Sequence, residues 1–237
     1  MEASLLDRLL GVLQETVGDI FFIQIGAMDG VAFDPIRSHV LEHGWRGILV
    51  EPLKDQFVKL AHNYSDSINL VLENVAITEK KETRKIFRVP LSDIRSNALP
   101  DWTRGISSFY SDRNAIGGKH IPVELHERIK PWIIEEEVDC ISLEMLLSSN
   151  NVEKVDFLQI DTEGYDYNIL KQLDFSKFKP YIINMEYYLL PENEQRECIN
   201  MLMKHGYRMV QSSAYDLAAV RWDWAEKNMG AVTNAND

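Results

Sequence analysis

Short apolar runs alternate along the chain with segments whose apolar residues recur every three to four positions. That is the pattern of strands and amphipathic helices in βαβ order. Residues 4–17 put Leu5, Leu6, Leu9, Leu10 and Leu13 on one stripe and predict a leading helix within residues 1–18. IFFIQI at 20–25 predicts a buried strand, followed by a loop from Gly26 to Gly30. Asp34-Pro35 predicts a helix start, with Asp34 as cap and Pro35 at the first helical position, and Gly44 ends that helix. RGILV at 46–50 predicts the next strand, closed by Glu51-Pro52. A helix over 53–63 and a third strand over 68–72 follow.

Residues 79–136 break the rhythm. The stretch begins basic (KKETRKIFR) and is too long for an ordinary α/β connection, so it predicts an insertion or lid over the cleft, with a strand near 85–89. The pattern resumes with a strand over 138–141 and a helix over 142–149 capped by Ser142. A strand over 155–160 (VDFLQI), a helix over 164–173 and a strand over 181–185 ending at Glu186 come next. A helix over 191–205 stops at Gly206, and 208–211 with 217–221 predict a closing hairpin. Residues 225–237 read as a polar tail. The whole predicts one α/β domain over 1–237, with a mostly parallel sheet and helices on both faces.

Composition narrows the class. Over 237 residues, 45% hydrophobic and 26% charged content is that of a globular protein. A net charge of −12 excludes a general nucleic-acid binder, whose affinity comes from neutralising phosphates, and disfavours an anionic membrane surface. Cys140 and Cys198 have no metal-ligand spacing and are too few for a disulfide framework. The N-terminus lacks the basic start and apolar core of a signal peptide, and no apolar run reaches the ~18 residues of a membrane span. These features predict a soluble cytoplasmic protein.

The chemistry-bearing residues sit at strand ends. Gly26-Ala27-Met28-Asp29-Gly30 follows a buried strand, where open α/β folds bind ligands and where glycine lets the backbone approach closely. Its G-x-x-x-G spacing differs from the dinucleotide G-x-G-x-x-G and weakens a nicotinamide-dependent oxidoreductase reading. Glu51, 21 positions after Gly30, stands where ribose hydroxyls are held. Asp161 and Glu163 end another strand and Glu186 a third, so Asp161 and Glu186 read as neighbours that would bind a divalent cation or tune a general base. The plainer alternatives are a glycine turn, a solvated acid and a helix cap. His120 and His126 in the insertion are further candidates for a base. Lys119 and Arg113 would greet an acidic acceptor, and Trp102, Trp132, Trp222 and Trp224 would form an acceptor surface or simply pack.

In this order, FFIQIGAMDG, GWRGILVEP, LENVAI, ISSF and VDFLQIDTEG resemble the FkbM family of methyltransferases over about residues 20–212. The resemblance implies a Rossmann-like class I methyltransferase fold with a seven-stranded sheet. It also implies S-adenosylmethionine as cofactor and O-methylation of a small-molecule or glycan acceptor, such as a sugar or natural product. By position it implies that Gly26 to Gly30 line the methionine part of the cofactor and that Glu51, with Pro52, holds the ribose. Asn74 and Ala76 would lie near the adenine, Ser108 near cofactor or acceptor, and Asp161 and Glu163 at the reacting centre. Methyltransferases commonly carry an acid two residues before the first glycine, where this chain has Gln24; Gln24 would bond the cofactor's ammonium through its carbonyl, and Asp29 would supply the missing carboxylate. A non-catalytic binding module on the same fold is the rival reading.

Overall fold

Ser4 accepts from the Asp7 amide at 3.0 Å and so starts helix α1, Leu5–Val17. In the computed structural model, which describes residues 3–228, Leu6, Leu9, Leu10 and Leu13 of this helix are buried together with Phe22, Trp45 and Phe157. Each such leucine contributes about 1.5–3 kcal/mol by leaving water.

β1 (Phe21–Ile25), α2 (Arg37–His43), β2 (Arg46–Val50), α3 (Lys54–Asn63) and β3 (Leu70–Glu73) build one half of the main sheet. β4 (Ala76–Ile77), β5 (Glu82–Arg88), α4 (Leu91–Ser96), α5 (Val123–Ile129) and β6 (Ile134–Ile141) follow. The other half is α6 (Leu143–Ser149), β7 (Phe157–Ile160), α7 (Asp166–Leu170), β8 (Ile182–Glu186), α8 (Glu192–Lys204), β9 (Tyr207–Gln211), β10 (Asp216–Arg221) and α9 (Trp222–Asn228).

The seven-stranded sheet has the order β3-β2-β1-β7-β8-β10-β9, and β10 runs antiparallel to both its neighbours. This is the Rossmann-like fold of class I methyltransferases that the sequence implied. The strand order reverses between β1 and β7, where the tips of Ile25 and Ile160 lie side by side. That switch point is where an open sheet offers a crevice at its carboxyl edge. Among the described residues, no helix is long and apolar enough to cross a membrane.

Several expectations need correcting. α2 begins at Arg37 rather than Pro35, yet Asp34 still accepts from the Ile36 and Arg37 amides at 2.9 and 3.2 Å. The third strand covers 70–73, and Ile68 lies outside it, 95% exposed. The strand expected at 138–141 starts at Ile134 and belongs to a second, three-stranded sheet, β4-β6-β5, where it pairs antiparallel with β5 and parallel with β4. The helix expected over 164–173 is confined to 166–170. Residues 225–228, the start of the expected tail, belong instead to helix α9, Trp222–Asn228, because Trp224 is buried and its indole donates to Thr16 of α1 at 3.2 Å. The remainder of the expected tail, 229–237, lies outside the described residues.

The inserted segment carries an apolar cluster of its own, including Val89, Ile94, Leu99, Ile106, Ile116 and Ile129. Its basic strand β5 is an edge, with Lys85 paired to Glu135 at 2.7 Å on the exposed side.

Candidate active site

A cavity of about 380 Å³ opens at the switch point, within the size range of small-molecule sites. Gly26 and Met28 of the glycine loop, Glu51 and Pro52 after β2, Ala76, Asp161 and Glu163 after β7, and Glu186 all line it. The insertion supplies Trp102, Arg104, Gly105, Ile106, Ser107 and Phe109 to its wall.

Main-chain packing shapes the loop. Gly26 has φ +90, and a Cβ there would collide with the carbonyl of Asp161, so glycine is required where the β1 and β7 tips meet. The amides of Gly26 and Ala27 both bond the Val50 carbonyl at 3.0 Å. Ala27 and Gly30 are buried behind the cleft wall.

Glu51 is 3% exposed and organises this end. Its carboxylate accepts from the Met28 amide at 2.9 Å and the Leu53 amide at 2.8 Å, joining the glycine loop to the start of α3. Burial raises its pKa to about 7, and the two amides oppose that rise. Asn74 does not reach the cleft; its Nδ2 donates to the Glu51 and Pro52 carbonyls at 2.8 and 3.0 Å and braces the turn from behind.

Asp161, Glu163 and Glu186 each present a carboxylate oxygen within 4.8 Å of the others. Asp161 is solvent-exposed where it lines the cleft, yet protein atoms crowd around its carboxylate and cost its charge hydration. Burial, then the neighbouring Glu163 charge, lifts Asp161 and Glu186 well above the ordinary carboxylate range. Burial brings Glu163 to about 7 against a lowering bond from Asn114. Glu163 sits at φ +53 just before Gly164 at +103, a left-handed turn that points its side chain back to the strand tip. Asp166 fixes that turn by accepting from the Thr162 and Gly164 amides at 3.3 and 3.1 Å.

Several sequence-derived candidates fall elsewhere. Gln24 is buried on the opposite face of β1, its amide against the Asp34 carboxylate, and does not line the cleft. Asp29 accepts from the Val31 and Ala32 amides at 3.1 and 2.9 Å and from Arg104 at 2.6 Å, so its carboxylate is spent on the loop. Ser108 lies under the site, donating to the Glu163 carbonyl at 2.7 Å. His120 is exposed and lines no part of the cleft, while the His126 ring lies 3.1 Å from the Ile116 carbonyl within the insertion. Arg113 is held by the Gly164 carbonyl at 2.9 Å and by Glu194 at 3.0 Å. Trp102 lines the cleft, Trp132 packs in the insertion, and Trp222 is exposed under Arg208.

Two residues of the site escape a sequence reading. Asn114 is 2% exposed at φ +46, and its Nδ2 donates to both Glu163 (3.0 Å) and Glu186 (2.9 Å). Gln56 faces the cleft from α3. Asn114 stands in an irregular stretch with no periodicity, and Gln56 reads as an ordinary polar helix position.

The family model for the methyltransferase FkbM domain matches residues 24–209. The chain belongs to the FkbM methyltransferase family. A crystal structure of methyltransferase FkbM from Methylobacillus flagellatus KT is similar at TM-score 0.50 and 11% identity, over 85% of this chain. This chain spans only 43% of that one, so the likeness is one of fold. A precorrin-6y C5,15-methyltransferase from Geobacter metallireducens GS-15 aligns at TM-score 0.42 and 11% identity, over 90% of this chain and 88% of that one. A METTL16 methyltransferase domain aligns at 0.45 and 10%, over 92% and 68%. No curated protein matches by sequence.

The cleft of this FkbM protein suits S-adenosylmethionine, the cofactor the family implies. Leu53, Val75 and Ile77 give apolar walls for a flat base, and Glu51 keeps spare lone pairs for a ribose diol. Asp161 offers a carboxylate for an ammonium.

Proposed function

We propose that this chain is an S-adenosylmethionine-dependent methyltransferase acting on a hydroxyl of a small-molecule or glycan acceptor, such as a sugar or natural product. The bound cofactor supplies an electrophilic methyl group. Glu51 takes hydrogen bonds from the ribose hydroxyls, and Asp161 faces the amino-acid end. The observation that carries the reading is the carboxylate cluster in the same cleft as Glu51, with Glu163 raised to about 7. A base of that pKa accepts a hydroxyl proton near neutral pH. Glu163 receives it on a carboxylate oxygen, and Asn114, which donates to Glu186 as well, holds that group in place. The inserted segment, 79–136, covers the cleft and selects the acceptor; its residues 102 and 104–107 at the wall support this. The G-x-x-x-G loop and the family together weigh against the nicotinamide reading.

The spacing of Asp161, Glu163 and Glu186 favours one second reading, a divalent cation shared by the three and activating the hydroxyl instead. The test is methyl transfer from methyl-labelled S-adenosylmethionine to a panel of hydroxylated acceptors, with and without EDTA. Glu163→Gln is expected to bind S-adenosylhomocysteine normally and to turn over about a hundredfold more slowly. Unchanged turnover would sink the base assignment. Activity abolished by EDTA and restored by a divalent ion would select the metal. Binding of S-adenosylhomocysteine without transfer to any acceptor in the panel would favour a non-catalytic module.

A further inference from the structure

Glu186 ends β8 and Asp216 starts β10, and the two are register partners across that antiparallel pair. Both line the cleft. Directly opposed residues put their side chains on one face with Cβ atoms about 4.5–5.5 Å apart, where two like charges repel. Among the described residues neither is ion-paired: Glu186 Oε2 accepts from the Asn114 amide at 2.9 Å and Asp216 Oδ2 from the Ser213 hydroxyl at 2.7 Å. Glu186 is only 6% exposed, yet its Oε1 has no donor among the described residues and is not sealed off from the cleft it lines. A carboxylate more than nine-tenths buried, with an open and unpaired oxygen on a cavity wall, is a seat for a ligand's donor.

The charge of the wall limits what that donor is. Glu51, Asp161, Glu163, Glu186 and Asp216 give the cleft five carboxylates. Its one cationic side chain among the described residues, Arg104, is held by Asp29 at 2.6 Å and Asp101 at 3.6 Å. A cofactor ammonium at Asp161 leaves Asp216 unmatched, because β10 lies two strands beyond β7, about 10 Å away at the usual strand spacing. Tyr215, 51% exposed, adds an aromatic ring to the same stretch of wall, and cations sit favourably over such rings. Burial, and for Glu186 the neighbouring carboxylates, raises the pKa of both acids, and a positive charge beside them restores their ionised forms. An acidic acceptor finds no partner here.

We infer that the acceptor is an amino sugar whose protonated amine sits between Glu186 and Asp216 while a neighbouring hydroxyl reaches Glu163. The inference rests on the reading that this cleft moves a methyl group from S-adenosylmethionine to a hydroxyl. The hydroxyl oxygen bonds the methyl carbon as the bond from that carbon to sulfur breaks, the hydroxyl proton passes to Glu163, and S-adenosylhomocysteine leaves. The amine, held protonated, has no lone pair with which to attack. The two carboxylates that bind it therefore also direct transfer to oxygen.

Calorimetric titration of the protein saturated with S-adenosylhomocysteine, in EDTA near neutral pH, compares glucosamine, glucose and glucuronate, which share a ring and differ in charge. Glucosamine is expected to bind about tenfold or more tighter than glucose, the scale of one hydrogen bond to a charged group, and glucuronate more weakly than either. Asp216→Asn is expected to lose about tenfold for glucosamine and less than roughly twofold for glucose, with S-adenosylhomocysteine affinity unchanged. Glu186→Gln carries the same expectation, and thermal unfolding checks that both variants fold. Equal wild-type affinity for glucosamine and glucose, tighter binding of glucuronate, or binding of none of the three overturns the inference and leaves the cofactor reading standing. A glucosamine preference that both variants retain overturns the seat at Glu186 and Asp216. A preference that appears only when EDTA is replaced by magnesium puts a metal ion at the cluster and overturns the amine. Wild-type protein that does not bind S-adenosylhomocysteine overturns the cofactor reading, and this inference with it.

Discussion

Arg104 reaches from the inserted segment to Asp29 of the glycine loop, Nη2 to Oδ2 at 2.6 Å, with both side chains largely buried. The carboxylate that the sequence offered to a ligand thus anchors one wall of the cleft to another. Removing one partner of such a pair leaves the other charge unpaired in a poorly solvated place. Arg104→Met is expected to lower unfolding stability by about 2–3 kcal/mol, the fully buried figure discounted for partial exposure. It is also expected to speed proteolysis within 97–120. Chemical denaturation and limited proteolysis check this, and S-adenosylhomocysteine should restore protection.

Glu51→Ala is expected to weaken S-adenosylhomocysteine binding by about 1.5–3 kcal/mol, the scale of bonds to a charged acceptor. The structure adds a second effect, since the Met28 and Leu53 amides lose their acceptor. Stability should fall by a further 1–3 kcal/mol or so. Glu51→Gln keeps one acceptor oxygen for the two amides and should recover only part of the stability. Calorimetric titration and thermal melts separate the two effects.

The carboxylate cluster sets the pH dependence of stability. Glu163 has a folded pKa of about 7 against an ordinary value of 4.5, so the folded protein holds a proton that the unfolded chain releases. That contribution is fully present below pH 4.5 and is lost as pH rises toward 7. Asp161 and Glu186, raised in the same direction, add to it. The ligand-free protein is expected to lose stability between about pH 5 and pH 7, and Glu163→Gln to flatten that slope. Denaturant midpoints across this range would expose a wrong sign at once.

Asn114 is a positioning residue for two carboxylates. Without its amide, Glu163 and Glu186 lose a donor that favours their ionised forms. Asn114→Ala should shift the acidic limb of the pH–rate profile upward and cut turnover by about tenfold, with S-adenosylhomocysteine affinity little changed. A loss of stability with an unmoved profile would restrict Asn114 to a role in folding.

Much of this architecture is legible in single-chain patterns, and the reason is local. β1, β2, β7 and β8 are mostly apolar, broken inside only by small or buried polar residues such as Gln24, Gln159 and Asn184, because both faces of the sheet are covered, and each delivers the chain to the cleft at or just after its end. Glu51, Asp161 and Glu186 are visible for that reason. β6 hides because IEEEVDCI buries only Val138 and Cys140, and its partner β5 pairs Glu82 with Cys140 across the whole insertion. Asp29 and Asn74 read as ligand contacts because strand-end polar residues often are. Their real partners, Arg104 and the Glu51–Pro52 carbonyls, are set by tertiary docking. Gln56 and Asn114 carry no periodic signal at all. α9 reads as a polar tail because what fixes it is Trp224 meeting Thr16, 208 positions away.

The β5–β6 ladder ends with Arg88 opposite Ile134, so residues 89–133 leave and re-enter the fold at one doorstep. Arg88 is buried below that point and pairs with Asp55 at 2.6 Å and Glu136 at 3.0 Å, all three outside the enclosed stretch. The stem is therefore welded to α3 without help from the loop it carries. A stretch with adjoining ends and an independent stem behaves as an exchangeable cassette. Loops of other lengths, grafted between Arg88 and Ile134, would leave the seven-stranded sheet in place but would have to replace Arg104 on Asp29 and Asn114 on Glu163 and Glu186 to keep the strand tips as they are.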